Sequence, residues 1–89
     1  MISSVQIRAA RGLLNISAAE LAEKADVTWK TIQRFESANM IPPSRAGTLE
    51  RVKEALESAG IEFIGDPLNS PGVRLRRQAD DETNNRSER

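Results

Sequence analysis

The chain is expected to fold as a mainly α domain: a four- to five-helix bundle followed by a short C-terminal β-strand pair or hairpin. Three observations predict this. Apolar residues recur at helical spacing from Ser3 to Ala59, and Ser or Thr stands where the helices should open. Beyond Gly60 the period shortens to two.

The elements follow in order. Residues 3–14 read as a first helix, with Ser3 and Gln6 at the spacing of a capping box. Ile7, Ala10 and Leu14 share one side, Val5 and Leu13 are expected to widen that apolar stripe, and Asn15-Ile16 breaks the pattern. Ser17-Ala18-Ala19-Glu20 is a second capping box, opening a helix of about eight residues whose buried side is Leu21, Ala22 and Ala25. Asp26-Val27 makes a short turn, and Thr28 caps a third helix over 29–38. Met40-Ile41-Pro42-Pro43 reads as a stiff extended connection, since two prolines cannot continue a helix. Ser44 is expected to cap a fourth helix running to about Ala59, with Leu49, Val52 and Leu56 inward and Glu50, Lys53, Glu54 and Glu57 in solvent. Gly60 is a natural stop. Ile61-Glu62-Phe63-Ile64 and Val73-Arg74-Leu75-Arg76 alternate as strands around Asp66–Gly72, which is turn chemistry throughout. Such a hairpin is marginal alone and needs a surface to pack on. The organisation expected is thus a helical domain over 1–60, a hairpin over 61–76 and a disordered polar tail over 77–89.

Composition narrows the function. The chain has 89 residues, enough for one small domain, and contains no Cys, His or Tyr. That removes thiolate and imidazole metal sites, disulfides and most nucleophile–base pairs, so no enzyme activity, catalytic residue, metal or cofactor is expected. No apolar run approaches a membrane span and no signal-peptide core opens the chain, so a cytoplasmic protein without membrane association is expected. Thirteen basic residues balance thirteen acidic ones. That neutrality weighs against a strongly basic nucleic-acid binder, but phosphate meets the local sign of one face.

Residues 17–38 carry the chemistry: helix, tight turn, helix, with a polar outward face on the second helix. At about 100° per residue, Ile32 and Phe35 fall on one side of that helix. Lys30, Gln33, Arg34 and Ser37 fall on the other, with Trp29 on the boundary. Such a helix fits the DNA major groove, where Lys30 and Arg34 match guanine and Gln33 matches adenine. Trp29 suits either core packing or a thymine methyl. The N-terminal caps Ser17 and Thr28 sit where a helix end favours phosphate.

The stretch IRAARGLLNISAAELAEKADVTWKTIQRFESA resembles the phage-repressor and Cro-like (XRE-type) family of helix-turn-helix transcriptional regulators. The likeness extends over residues 5–60 and rests on Leu21-Ala22, Val27-Thr28, Ile32 with Phe35, and Arg11 with Glu36. It implies a repressor-like bundle, double-stranded DNA as partner, and a structural ion pair between Arg11 and Glu36. Two positions depart from the family. Ala18 stands where a phosphate-contacting Gln is usual, and Asp26 where the turn usually has Gly. DNA binding is then expected to rest on Ser17, Thr28, Trp29, Lys30, Thr31, Gln33, Arg34, Asn39, Ser44 and Arg45.

The expected function is a sequence-specific regulator, a repressor by default, bound as a homodimer to an inverted repeat. The hairpin, through Ile61, Phe63, Val73 and Leu75, is the expected dimerisation element; capping of helix four and docking of another protein are its other readings. Arg74, Arg76 and Arg77 suit phosphate or salt bridges equally. No small-molecule ligand is expected in so short a chain. The alternative is a protein-interaction module, antitoxin-like or antiactivator, with weak or no DNA binding.

Overall fold

The computed structural model describes residues 1–43 and 47–76. Four helices and one hairpin follow in chain order: α1 (Ser4–Leu14), α2 (Ala18–Ala25), α3 (Trp29–Ser37), α4 (Thr48–Ser58), β1 (Ile61–Ile64) and β2 (Gly72–Leu75). The mainly α bundle with a C-terminal hairpin is thus the observed architecture, with four helices among the described residues. The expected tail over 77–89 and the site positions Ser44 and Arg45 lie outside those residues.

Each of the first three helices begins at the residue whose side chain caps it. Ser3 and Gln6, and Ser17 and Glu20, form complete capping boxes, and the Thr28 hydroxyl accepts from the Thr31 N–H. Such a cap is worth about 1 kcal/mol. Each cap is also flanked by a hydrophobic staple, an apolar residue just before the cap joining the core with one four positions after it. The pairs are Ile2 and Ile7, Ile16 and Leu21, and Val27 and Ile32. Asn15 and Asp26 end α1 and α2 in the left-handed region, at φ 57° and 60°. Both are residue types that tolerate it.

Two local expectations are corrected. α4 opens at Thr48 behind a left-handed Gly47, with no side-chain cap, so Ser44 does not start it. The segment before Pro42 is bent rather than extended: Met40 adopts φ 63°, and its carbonyl accepts from the Ser4 N–H at 2.9 Å. That bond ties the exit of α3 to the start of α1.

The core gathers Ile2, Ile7, Ala10, Leu21, Ala22, Ala25, Ile32, Phe35, Leu49, Val52, Leu56 and Ile61. Val5 and Leu13 are not part of it; they remain 41% and 46% exposed on the far side of α1. The hairpin is antiparallel, with Ile61 opposite Leu75 and Phe63 opposite Val73. These four side chains turn inward onto the helical core, where Ile61 is buried and the other three are partly so. They therefore supply the packing surface a lone hairpin lacks, and do not form an exposed apolar dimerisation face. Gly60, at φ 107°, lets the chain turn from α4 into β1 while its carbonyl accepts from the Arg76 N–H. A Cβ there would lie 2.7 Å from the Arg76 carbonyl oxygen.

Gln6 joins the two parts of the fold. Its Oε1 accepts from the Ser3 N–H at 3.0 Å, while its Nε2 donates to the carbonyls of Gly72 at 3.0 Å and Ile64 at 3.4 Å. Gln6→Glu keeps the capping acceptor but replaces the amide donor with a second oxygen facing two carbonyls. The expected loss is about 2 kcal/mol, with amide exchange accelerated in 61–64 and 72–75 and unchanged in α2 and α3. Equal protection of the hairpin in both proteins would contradict this role.

On the outer face of the hairpin, Glu62 accepts from Arg74 and Arg76, each at 2.7 Å. These bonds, Arg74 first, hold its carboxyl below the usual carboxylate range. A lowered folded-state value means the contribution is present above the unfolded-state pKa, about 4.3, and is lost as pH falls through the folded value. The difference in melting temperature between the wild type and Glu62→Gln should therefore hold at neutral pH and close in acid. A constant difference into strong acid would contradict the assignment.

Candidate nucleic-acid interface

α3 is held from beneath and at both ends. Ile32 and Phe35 are fully buried under it, and α2 packs alongside, as does α1. At its C-terminal end Arg11 of α1 grips Glu36 with two parallel bonds, Nε to Oε2 at 2.7 Å and Nη2 to Oε1 at 2.9 Å. The third Arg11 nitrogen donates to the Ile16 carbonyl at 3.2 Å, tying in the entry to α2. The hydrogen bonds to Glu36 push the Arg11 pKa further up. This is the structural pair the sequence resemblance implied. Two braces were not anticipated. Arg8 donates to the Glu36 carbonyl, and Arg51 donates to the Asp26 carbonyl at 3.4 Å, holding the turn between α2 and α3. Neither position breaks a sequence pattern, since an exposed arginine on a helix reads as a solvated one.

The opposite side of α3 faces solvent. Lys30, Gln33, Arg34 and Ser37 line one shallow depression, bringing together the face predicted from helical spacing. Their freedom differs. The Ser37 hydroxyl is committed to the Gln33 carbonyl at 2.8 Å, so it presents mainly an acceptor. Arg34 extends over the Phe35 ring, 5.5 Å from its centroid, which steadies the guanidinium without using its donors. The side chains of Lys30 and Gln33 make no hydrogen bond within the described residues. Glu36, the one acid of α3, is neutralised by Arg11, so the exposed face is cationic despite the balanced total charge.

The remaining predicted positions fall around this face. Trp29 is 49% exposed at the first turn of α3, its ring neither core nor fully free. Thr28 and Thr31 share a hydroxyl–hydroxyl bond of 3.0 Å beside it. Ser17 is exposed at the start of α2, and Asn39 is exposed just past α3. The caps satisfy the third N–H of each helix, leaving the N–H groups of Ala18, Ala19, Trp29 and Lys30 with no bonded partner among the described residues. Ala18 itself packs partly against the core and offers no polar side chain.

α3 is about 13 Å long, and its exposed face carries two cations, an amide and a half-exposed indole. This geometry can enter a groove about 12 Å wide, with donors along the floor and helix N-termini toward the flanking phosphates. No helix among the described residues is long and apolar enough to cross a membrane. No protein-family model matches the chain, and no curated protein does either.

Proposed function

We propose that the protein is a sequence-specific DNA-binding regulator that inserts α3 into the major groove. One observation carries the reading: an uninterrupted outward face of Lys30, Gln33 and Arg34 on a helix braced by α1 and α2, with the one local acid neutralised. In this reading Lys30, Arg34 and Gln33 read base edges, with Trp29 against a thymine methyl or sugar. Ser17, Thr28, Thr31 and Asn39 approach phosphates. The likeness to the phage-repressor and Cro-like regulators supports the same assignment. The protein acts in the cytoplasm, as a homodimer on an inverted repeat, and represses by occluding the sites it covers. It requires no cofactor and has no catalytic role.

A duplex-binding titration with Lys30, Gln33 and Arg34 all changed to Ala tests it. The variant should bind the preferred duplex at least about 100-fold more weakly, since each good base contact is worth about 1–3 kcal/mol. Its thermal stability should be unchanged, because all three side chains are exposed. Equal affinity of variant and wild type would remove α3 from the interface. The second reading is a protein-interaction module without DNA binding, favoured by zero net charge and by Ala18 at a position suited to a phosphate contact. It predicts no duplex binding even at low salt.

A further inference from the structure

α1 is apolar on both sides. Ile7, Ala10 and Leu14 face the core, while Val5, Ala9, Gly12 and Leu13 form a second stripe facing solvent. At about 100° per residue that outer stripe is about 100° wide, the width of a core-facing stripe on an ordinary amphipathic helix. A helix that is hydrophobic all round is normally covered all round. The polar residues beside the stripe are already engaged within the fold: Gln6 by the hairpin, Arg8 and Arg11 by Glu36. A Cβ at Gly12 would meet nothing within 4 Å, so the middle of the stripe is low and open.

We infer that this face of α1 pairs with the same face of a second copy of the chain. It carries no charge and no free hydrogen-bonding side chain, so it offers nothing by which a charged or polar partner would be chosen. It is instead self-complementary under a two-fold axis. When two such helices cross antiparallel at Ala9, the small residues meet at the centre. Val5 of each copy then opposes Leu13 of the other, filling the ends. The apolar face of the hairpin, the other candidate for pairing, is occupied by the chain's own core.

Area sets the strength. An 11-residue helix is about 16 Å long, and one stripe of it falls well short of the roughly 800 Å² per partner of a stable complex. The free protein is therefore mostly monomeric at low micromolar concentration, with a dissociation constant on the order of 100 µM. Binding of two copies to neighbouring half-sites would raise their effective concentration into the pairing range. That last consequence rests on the DNA-binding reading; the pairing itself does not.

The chain has no cysteine, which makes the test direct. Ala9→Cys places two thiols across the proposed axis, within the reach of a disulfide. Ala19→Cys, exposed on α2, is the control. Under mild oxidation without DNA, Ala9→Cys should form a covalent dimer at least about 10-fold faster than the control. In sedimentation equilibrium of the wild type up to about 1 mM, self-association should appear and should weaken at least about 10-fold in Leu13→Lys, whose helical content is checked by circular dichroism. A strictly monomeric wild type, equal cross-linking at both positions, or association unaffected by Leu13→Lys would each overturn the inference. That last result would move pairing to the hairpin edge or elsewhere. Because every arm omits DNA, a negative result leaves the DNA-binding reading standing, and a failure to bind DNA leaves the pairing standing.

Discussion

Phe35→Ala is expected to remove most of the stability of the domain. Phe35 is fully buried beneath α3 and is the largest enclosed side chain of the core. Truncating such a residue typically costs about 3–5 kcal/mol, the lost transfer energy plus the cavity left behind. A natural domain has only about 5–15 kcal/mol in total, and one this short belongs toward the lower end. The variant also removes the ring under Arg34, so the guanidinium loses its support even in molecules that stay folded. Urea denaturation followed by circular dichroism checks this: the midpoint should fall steeply, with appreciable unfolded protein in buffer alone at physiological temperature. A loss under about 1 kcal/mol would mean that α3 is not anchored where its burial places it.

Glu36→Ala is expected to be the second most damaging change, through a different cause. It strips Arg11 of two charge-assisted bonds and leaves a partly buried guanidinium with only the Ile16 carbonyl. Charged hydrogen bonds are worth about 1.5–3 kcal/mol each, but neither group is fully enclosed: the Arg11 side chain is 28% exposed and that of Glu36 11%. A loss of about 2–3 kcal/mol follows, smaller than the figure for a fully buried pair broken on one side. Because the pair spans α1 and α3, Arg11→Ala and Glu36→Ala should be strongly non-additive. The double variant should lose less than the sum by about 1–3 kcal/mol. Additive losses would show that the two side chains act separately. Arg11→Lys should rescue only part, since an ammonium cannot match the carboxylate with two parallel bonds.

Much of this architecture was legible in the sequence because local chemistry and the fold agree. Ser3 with Gln6, Ser17 with Glu20, and Thr28 each start the helix they mark, and the spacing of Ile32 and Phe35 fixes which side of α3 is free. The misses have physical reasons. A wheel cannot tell which apolar residues of α1 face inward when the helix is apolar on both sides, so Val5 and Leu13 were expected in the core and are exposed. Ser44 is the better capping residue by type, yet α4 begins behind Gly47, whose left-handed backbone turns the chain without any side-chain bond. Ile2 lies outside its helix, and only its place just before the Ser3 cap marks it as a staple. The second role of Gln6 was out of reach, because its partners lie 58 and 66 residues away and exist only once the hairpin docks.

The candidate site divides in the same way. Its outward face could be read from periodicity, because exposure of Lys30, Gln33 and Arg34 follows from burial of their neighbours. What periodicity could not supply is the state of each group. Ser37 is engaged with Gln33, Arg34 rests on Phe35, and the Arg8 and Arg51 braces hold carbonyls at either end of the α2–α3 unit. The four inward hairpin residues changed role most. Their alternation was read correctly as a strand pair, but the face it defines packs on the chain's own core.

The central claim is that α3 reads DNA, and selection from a random duplex pool tests it most directly. At low salt the wild-type protein should enrich a defined motif, present as two inverted half-sites about 10–10.5 bp apart or a multiple of that spacing. The Lys30, Gln33 and Arg34 triple alanine variant should enrich none. A pool that stays random with the wild type, or the same motif enriched by both proteins, would contradict the account.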